Sequence, residues 1–324
     1  MLQSEHSRIL SALLLCLLLL SACGSAGSAV LPRSTPSSTA SALRSPSPGK
    51  PASASVIPTA SGTVAAPPHY RSHLLLRGYG RPDDLALDAK GNLFFSDAHN
   101  GTINRLNQDG SVSVLARGLA APEGLVVLQD GTIIIAEQRT NRLLQLMPGA
   151  QMPLVLRTLP GTPSNQPCKA GIDGIALDST TQTLIVPDSP TGEVYRMSLD
   201  GRALQPLASG MVRPVGAAVD GAGNVYVADE CGHAVWRISP NGHKVRFGGF
   251  GMPDDVAWDG HGNLLVIDLA PAVHALIRLQ LATGQRETLA SQGFIEPQGL
   301  VIDKHDRIYV ADDYANMIVE FTPT

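Results

Sequence analysis

Asp83, Glu123, Asp173 and Asp254 each hold the second position of a recurring phrase, written PDDLALD, PEGLVVL, IDGIALD and PDDVAWD. The phrase returns as PVGAAVD and PQGLVID, where the same position holds Val215 and Gln298. Four carboxylates gathered at one place repel one another unless a proton or a cation compensates. A hard cation takes roughly six to eight oxygen ligands, so such a set could serve one divalent ion such as Ca²⁺, or Zn²⁺ or Mn²⁺. The alternative is four solvated turn residues with no shared ligand.

In two of the phrases the acid is doubled. Asp84 and Asp255 stand where the others carry Gly124, Gly174, Gly216 and Gly299. Glycine there signals an unusual backbone conformation or a close approach, and Asp tolerates tight turns better than most side chains. The doubled acids either enlarge an acidic rim or are turn variants. A second acidic position is unbroken: Asp97, Glu137, Asp188, Asp229, Asp268 and Asp312 end the apolar run that follows each phrase. A ligand site should break a repeat and a fold should preserve it. These six therefore read as structural carboxylates accepting backbone N–H groups.

The elements that must position these residues follow from the repeat. Its units start at 82, 122, 172, 214, 253 and 297, spaced 40, 50, 42, 39 and 44 residues apart. Each reads as a short apolar strand ending near Asp, a Gly-Asn-like turn, a second β-rich strand, and then a third and fourth. Four short antiparallel strands per roughly 40 residues are the signature of a propeller blade. The sixth unit reaches Thr324 after its third strand, and HLLLRGYG, 73–80, supplies the missing outer one. The expected fold is all-β, a six-bladed β-propeller over 70–324 closed by an N-terminal outer strand, with no long open edge. The first strand of a blade is innermost, which puts the post-proline residues at the mouth of the central channel.

Further departures from the repeat fall on the same face, where a rigid scaffold carries its binding loops. The lead-in RTLPGTPSNQPCKAGID contains Cys168, and blade 4 continues past Asp229 as ECGHAVW with Cys231. These two cysteines form an even pair in an exported domain, on one rim of neighbouring blades, and a disulfide is expected. His99, His233 and His274, with Gln298, are candidate rim residues, whereas His261 and His305 fall in turns of the opposite face.

The chain has 324 residues, 44% hydrophobic, with a formal net charge of −4. No basic face is visible, which argues against a nucleic-acid partner. Residues 1–22 read as a signal peptide: Arg8, an apolar run Ile9–Leu20, and then LSAC. The run is shorter than the roughly 20 residues a spanning helix needs. LSAC resembles the bacterial lipoprotein lipobox, and the resemblance implies lipidation of Cys23 and an extracytoplasmic, membrane-anchored protein. Residues 23–69, rich in Ser, Pro, Ala and Thr, read as a disordered tether.

The repeat text, most clearly PVGAAVDGAGNVYVADECGHAVWRI (214–238), resembles the NHL-repeat propellers. That resemblance implies the fold and leaves function open, since such scaffolds host binding proteins, sensors and enzymes. One expectation is a membrane-anchored monomer binding or sensing a protein, peptide or glycan through its rim. A second follows from a broader resemblance to the senescence-marker-protein/gluconolactonase propellers. These place Glu, Asn and Asp around one divalent cation that polarises an ester and activates water. Here the carboxylate roles would fall to residues 83, 123, 173 and 254, although no post-proline position holds Asn. A third is a lyase using a rim histidine as base.

Overall fold

In the computed structural model, residues 70–324 are described; the expected signal peptide, lipidation site Cys23 and tether lie outside the described residues. They form six four-stranded antiparallel sheets, ordered in chain sequence from the inside outwards in five blades. The sixth blade runs Pro297–Ile302, Ile308–Asp312, Met317–Pro323 and then Tyr70–Arg77 as its outer strand. Closure is therefore the expected one, with Tyr70 paired to Pro323 and Arg77 to Met317.

Why these sequences make blades is visible strand by strand. The second strands Leu93–Asp97, Ile133–Glu137, Val225–Asp229 and Ile308–Asp312 are buried along their whole length, and those of blades 3 and 5 are buried from Leu184 and Leu264 onwards. Each is covered by a neighbouring blade on both faces, which is why it reads as an unbroken apolar run rather than an alternation. The cores lie between blades. Tyr226 and Val235 of blade 4 pack with Val256 and Leu264 of blade 5, and Leu85 and Phe95 of blade 1 pack with Tyr309 and Ile318 of blade 6.

The unbroken acids hold the top loops. Asp229 accepts the N–H groups of Val212 and Arg213 at 3.0 and 2.9 Å. Asp268 does the same for Gly251 and Met252, and Asp312 for Ile295 and Glu296. Each carboxylate thus ties down the loop that leads into its own blade. All six are buried.

The inner strands begin with an irregularity that matters for the site. After Pro122, Pro214, Pro253 and Pro297 the register shifts, and pairing resumes at Leu125, Ala217, Val256 and Leu300. One extra residue is accommodated in each case, a β-bulge. The bulge takes the two post-proline residues out of the ladder and re-aims the first of them. In blades 1 and 3 the inner strand starts only beyond this point, at Leu85 and Ala176.

Candidate functional site

The first post-proline residues converge on the channel mouth. Asp83, Glu123, Asp173, Asp254 and Gln298 line a bowl of about 430 Å³ together with Arg81, His99, Gln138, Arg213, Glu230, Glu296, Asp313 and Tyr314. Asp83, Glu123 and Asp254 are 7%, 8% and 7% exposed. Val215, one of the two exceptions to the acidic pattern, is fully buried in the core.

Two arginines stand against seven carboxylates in this lining. Arg213 precedes Pro214 in the one blade whose post-proline residue is valine. Its Nη2 lies 2.9 Å from Asp173 Oδ2, and its Nη1 pairs with Glu230. Gln138 also donates to Asp173, at 3.3 Å. Arg81, which precedes Pro82, donates Nη2 to Asp313 at 2.7 Å and stacks over Tyr314 at 4.2 Å. Both arginines are therefore committed. Asp83, Glu123 and Asp254 make no ion pair with any described residue, though the guanidinium of Arg213 is felt by Glu123 and Asp254.

Burial governs the charge state of this cluster. Asp83 is held well above the usual carboxylate range by burial and then by Glu123, which shares a hydrogen bond with it. Glu123 is pushed up to about 8 by burial and by the charge of Asp173. Asp254 is raised well above its ordinary value by burial and then Asp173, against the pull of Arg213. Burial raises Asp173 as well, opposed first by Arg213. Perturbed carboxylates collected in one concavity are a functional-site signature.

The doubled acids do not join this rim. Asp84 and Asp255 point down the channel and line a separate cavity that shares no residue with the bowl. Asp84 accepts from Leu85 N at 2.7 Å and from Leu125 N of blade 2 at 3.3 Å. Asp255 accepts from Val256 N and from Leu300 N of blade 6, each at 2.8 Å. Each is a clasp between one blade and the next. The glycines at this level are required by close approach and not by a positive φ. A Cβ on Gly124 would come within 2.6 Å of Asp173 O and 2.7 Å of Gly174 Cα.

Of the rim histidines, His99 is in the bowl lining and His233 and His274 are not. His233 Nδ1 contacts the carbonyl of Gly251. Cys168 and Cys231 form the expected disulfide, with Cα atoms 6.0 Å apart. It fastens the lead-in loop of blade 3 to the residue directly after Glu230. The bowl residues not anticipated from the sequence are Arg81, Arg213, Gln138, Glu230, Glu296, Asp313 and Tyr314. They flank the prolines or follow the acids that end the second strands, and in these two positions the repeat breaks as strongly as after the prolines.

Oxygen donors of this type suit a hard divalent cation, but their arrangement does not gather them around one. Among the described residues no three His, Cys, Asp or Glu side chains are grouped to hold a metal ion. Asp173 is occupied by Arg213, and Asp83 and Glu123 by each other.

These features define the class: a six-bladed β-propeller with an acidic channel mouth. Residues 211–238 match the NHL repeat family. No curated protein sequence matches the chain. Among solved structures it is similar to a gluconolactonase from Xanthomonas campestris, with 16% identity, a TM-score of 0.64, and coverage of 79% of this chain and 90% of that one. It is also similar to virginiamycin B lyase from Staphylococcus aureus bound to quinupristin, at 20% identity and a TM-score of 0.58, over 77% of this chain and 83% of that one. At these identities the likeness shows the fold alone.

Proposed function

We propose that the chain is a lipid-anchored, extracytoplasmic binding module whose bowl takes up a basic side chain of a peptide or protein. The observation that carries this reading is the excess of buried carboxylate: Asp83, Glu123 and Asp254 lie in the bowl with no direct ionic partner among the described residues. A lysine or arginine side chain would bring the missing charge at the tip of an apolar stem, and the stem itself is readily buried. Tyr314 beside Arg81 offers a flat exposed surface at the lip for the neighbouring residue. The lipobox-like LSAC and the disulfide both suit an oxidising compartment outside the cytoplasm.

Calorimetric titration with short lysine- or arginine-bearing peptides tests the reading against matched glutamate-bearing ones. Saturable binding of the basic peptides, weakened at least tenfold in Asp254→Asn, is the expected result. Equal heats for acidic and basic peptides would refute it. The same protein carried through metal analysis addresses the hydrolytic alternative. Stoichiometric Ca²⁺, Zn²⁺ or Mn²⁺ lost in Asp83→Asn would replace the binding reading with a metal-dependent lactonase and direct attention to lactone substrates.

A further inference from the structure

The second cavity lies at the far end of the channel and plays no part in the bowl. It measures about 370 Å³ and is walled by the innermost strands of all six blades. Every lining residue but two is apolar, and those two are Asp84 and Asp255. At its open end Leu87, Val127, Leu177, Val219, Trp258 and Ile302 are only half-buried, so the funnel presents a hydrophobic wall to water. Small-molecule sites have this character: a few hundred cubic ångströms, apolar walls and a few converging polar groups.

The polar groups fix the ligand chemistry. No lysine, arginine or histidine lines the funnel, and neither aspartate forms an ion pair with a described residue. Each oxygen of Asp84 and Asp255 accepts one backbone N–H. A carboxylate has roughly four lone-pair sites, so about two on each group stay open. Burial pushes the Asp84 carboxyl up to about 7 and holds Asp255 well above its ordinary value, and the two, on the blades either side of blade 6, repel each other, Asp84 being the strongest charge acting on Asp255. A single positive charge placed between them removes that repulsion, and an apolar body behind it covers the walls.

We propose that this funnel is a second binding site, specific for a small ligand carrying one primary ammonium on an aliphatic or aryl body. The site is independent of the bowl at the opposite mouth. Trp258 in its wall is a built-in reporter, and Trp236 is the chain's other tryptophan.

The experiment titrates the full chain, with Trp236→Phe as background, with n-octylammonium, n-octanol and octanoate while following Trp258 fluorescence. Saturable one-to-one binding of octylammonium is expected, at least tenfold tighter than octanol, with octanoate weakest. Asp255→Asn should remove the preference for the amine over the alcohol. Because Asp255 also clasps two blades, Val219→Lys is the second variant. It sets a tethered ammonium at the lip without touching the clasp, and should weaken octylammonium at least tenfold. Equal affinity for octanol and octylammonium, no saturable change, or unaltered binding in Val219→Lys would overturn the proposal.

Discussion

The two ends of the channel are built from adjacent residues of the same six strands, yet they differ in almost every physical respect. The upper bowl is lined by Asp83, Glu123, Asp173, Asp254 and Gln298, the second residue of five of the six phrases, and gathers carboxylates. The lower funnel is lined by the residues that follow and gathers leucine, valine and isoleucine. Between them lies a level of four glycines and two aspartates, where blade backbones approach too closely for most side chains. A one-residue step along a strand, across a bulge, is enough to change the chemistry completely. Asp83 and Asp84 are neighbours with different tasks. One faces a mouth crowded with charge, and the other ties two blades together.

The largest effect is expected where the bowl depends on the rim. The disulfide closes a loop with a sequence separation of 63, and the chain-entropy account assigns such a bridge ~4 kcal/mol. Cys168→Ser with Cys231→Ser should lower denaturant stability by about that amount, and should weaken the bowl's ligand more than the funnel's. Equal losses at both ends would mean that the two mouths are not independent.

At the level between the cavities, Gly124→Ala drives a Cβ into backbone atoms that cannot move aside. A loss of about 3 kcal/mol is expected, at the upper end of overpacking costs. A similar loss of about 3 kcal/mol should follow Arg213→Met, which leaves the buried carboxylate of Glu230 without its guanidinium. Urea unfolding at neutral pH measures both, and near-wild-type midpoints would contradict the packing and pairing described above.

The acidity of the bowl also sets a pH dependence. Glu123 titrates near 4.5 in an unfolded chain and is pushed up to about 8 in the fold. The folded state therefore binds the proton more tightly, and that stabilisation is complete below about 4.5 and lost as pH rises through about 8. Melting temperature of the ligand-free protein should fall across this interval, and a bound basic peptide should restore it. A flat profile from pH 5 to 8 would contradict the burial of this group.

The smallest effect is the sharpest comparison. Asp83→Asn removes a repelling charge while still able to hydrogen-bond Glu123, and should stabilise the protein at pH 8 by ~1 kcal/mol. Asp84→Asn also removes a charge that burial disfavours, its carboxyl being pushed up to about 7, but it weakens the acceptor of two backbone N–H groups, so its gain at pH 8 should be smaller. Melts of the two variants side by side should place Asp83→Asn above Asp84→Asn. Equal shifts would make the doubled aspartates equivalent after all.

The fold was legible because each blade repeats its instructions, so the strands, the turns and the closing role of the segment near residue 73 could be read six times over. The post-proline acids were legible for the opposite reason, since they break a pattern. Arg213 was not, because its importance comes from Asp173 and Glu230, residues 40 and 17 positions away in sequence that only the ring brings together. The direction of Asp84 was hidden as well. Whether a post-proline side chain faces the bowl or the channel depends on where the bulge falls, and a bulge is a property of two paired strands.

The closing strand has a mechanical meaning. Arg77 donates to the sulfur of Met317 across 240 residues of sequence, at the junction where the first strand of the domain meets the last. Loop closure over such a distance is entropically costly and slow to find, so the ring can be completed only when the final strand is available. Any pull arriving through residues before Tyr70 is delivered straight to that same seam. The seam that forms last is also the one that would carry load first, and its seven paired positions set how much tension the propeller withstands before it opens.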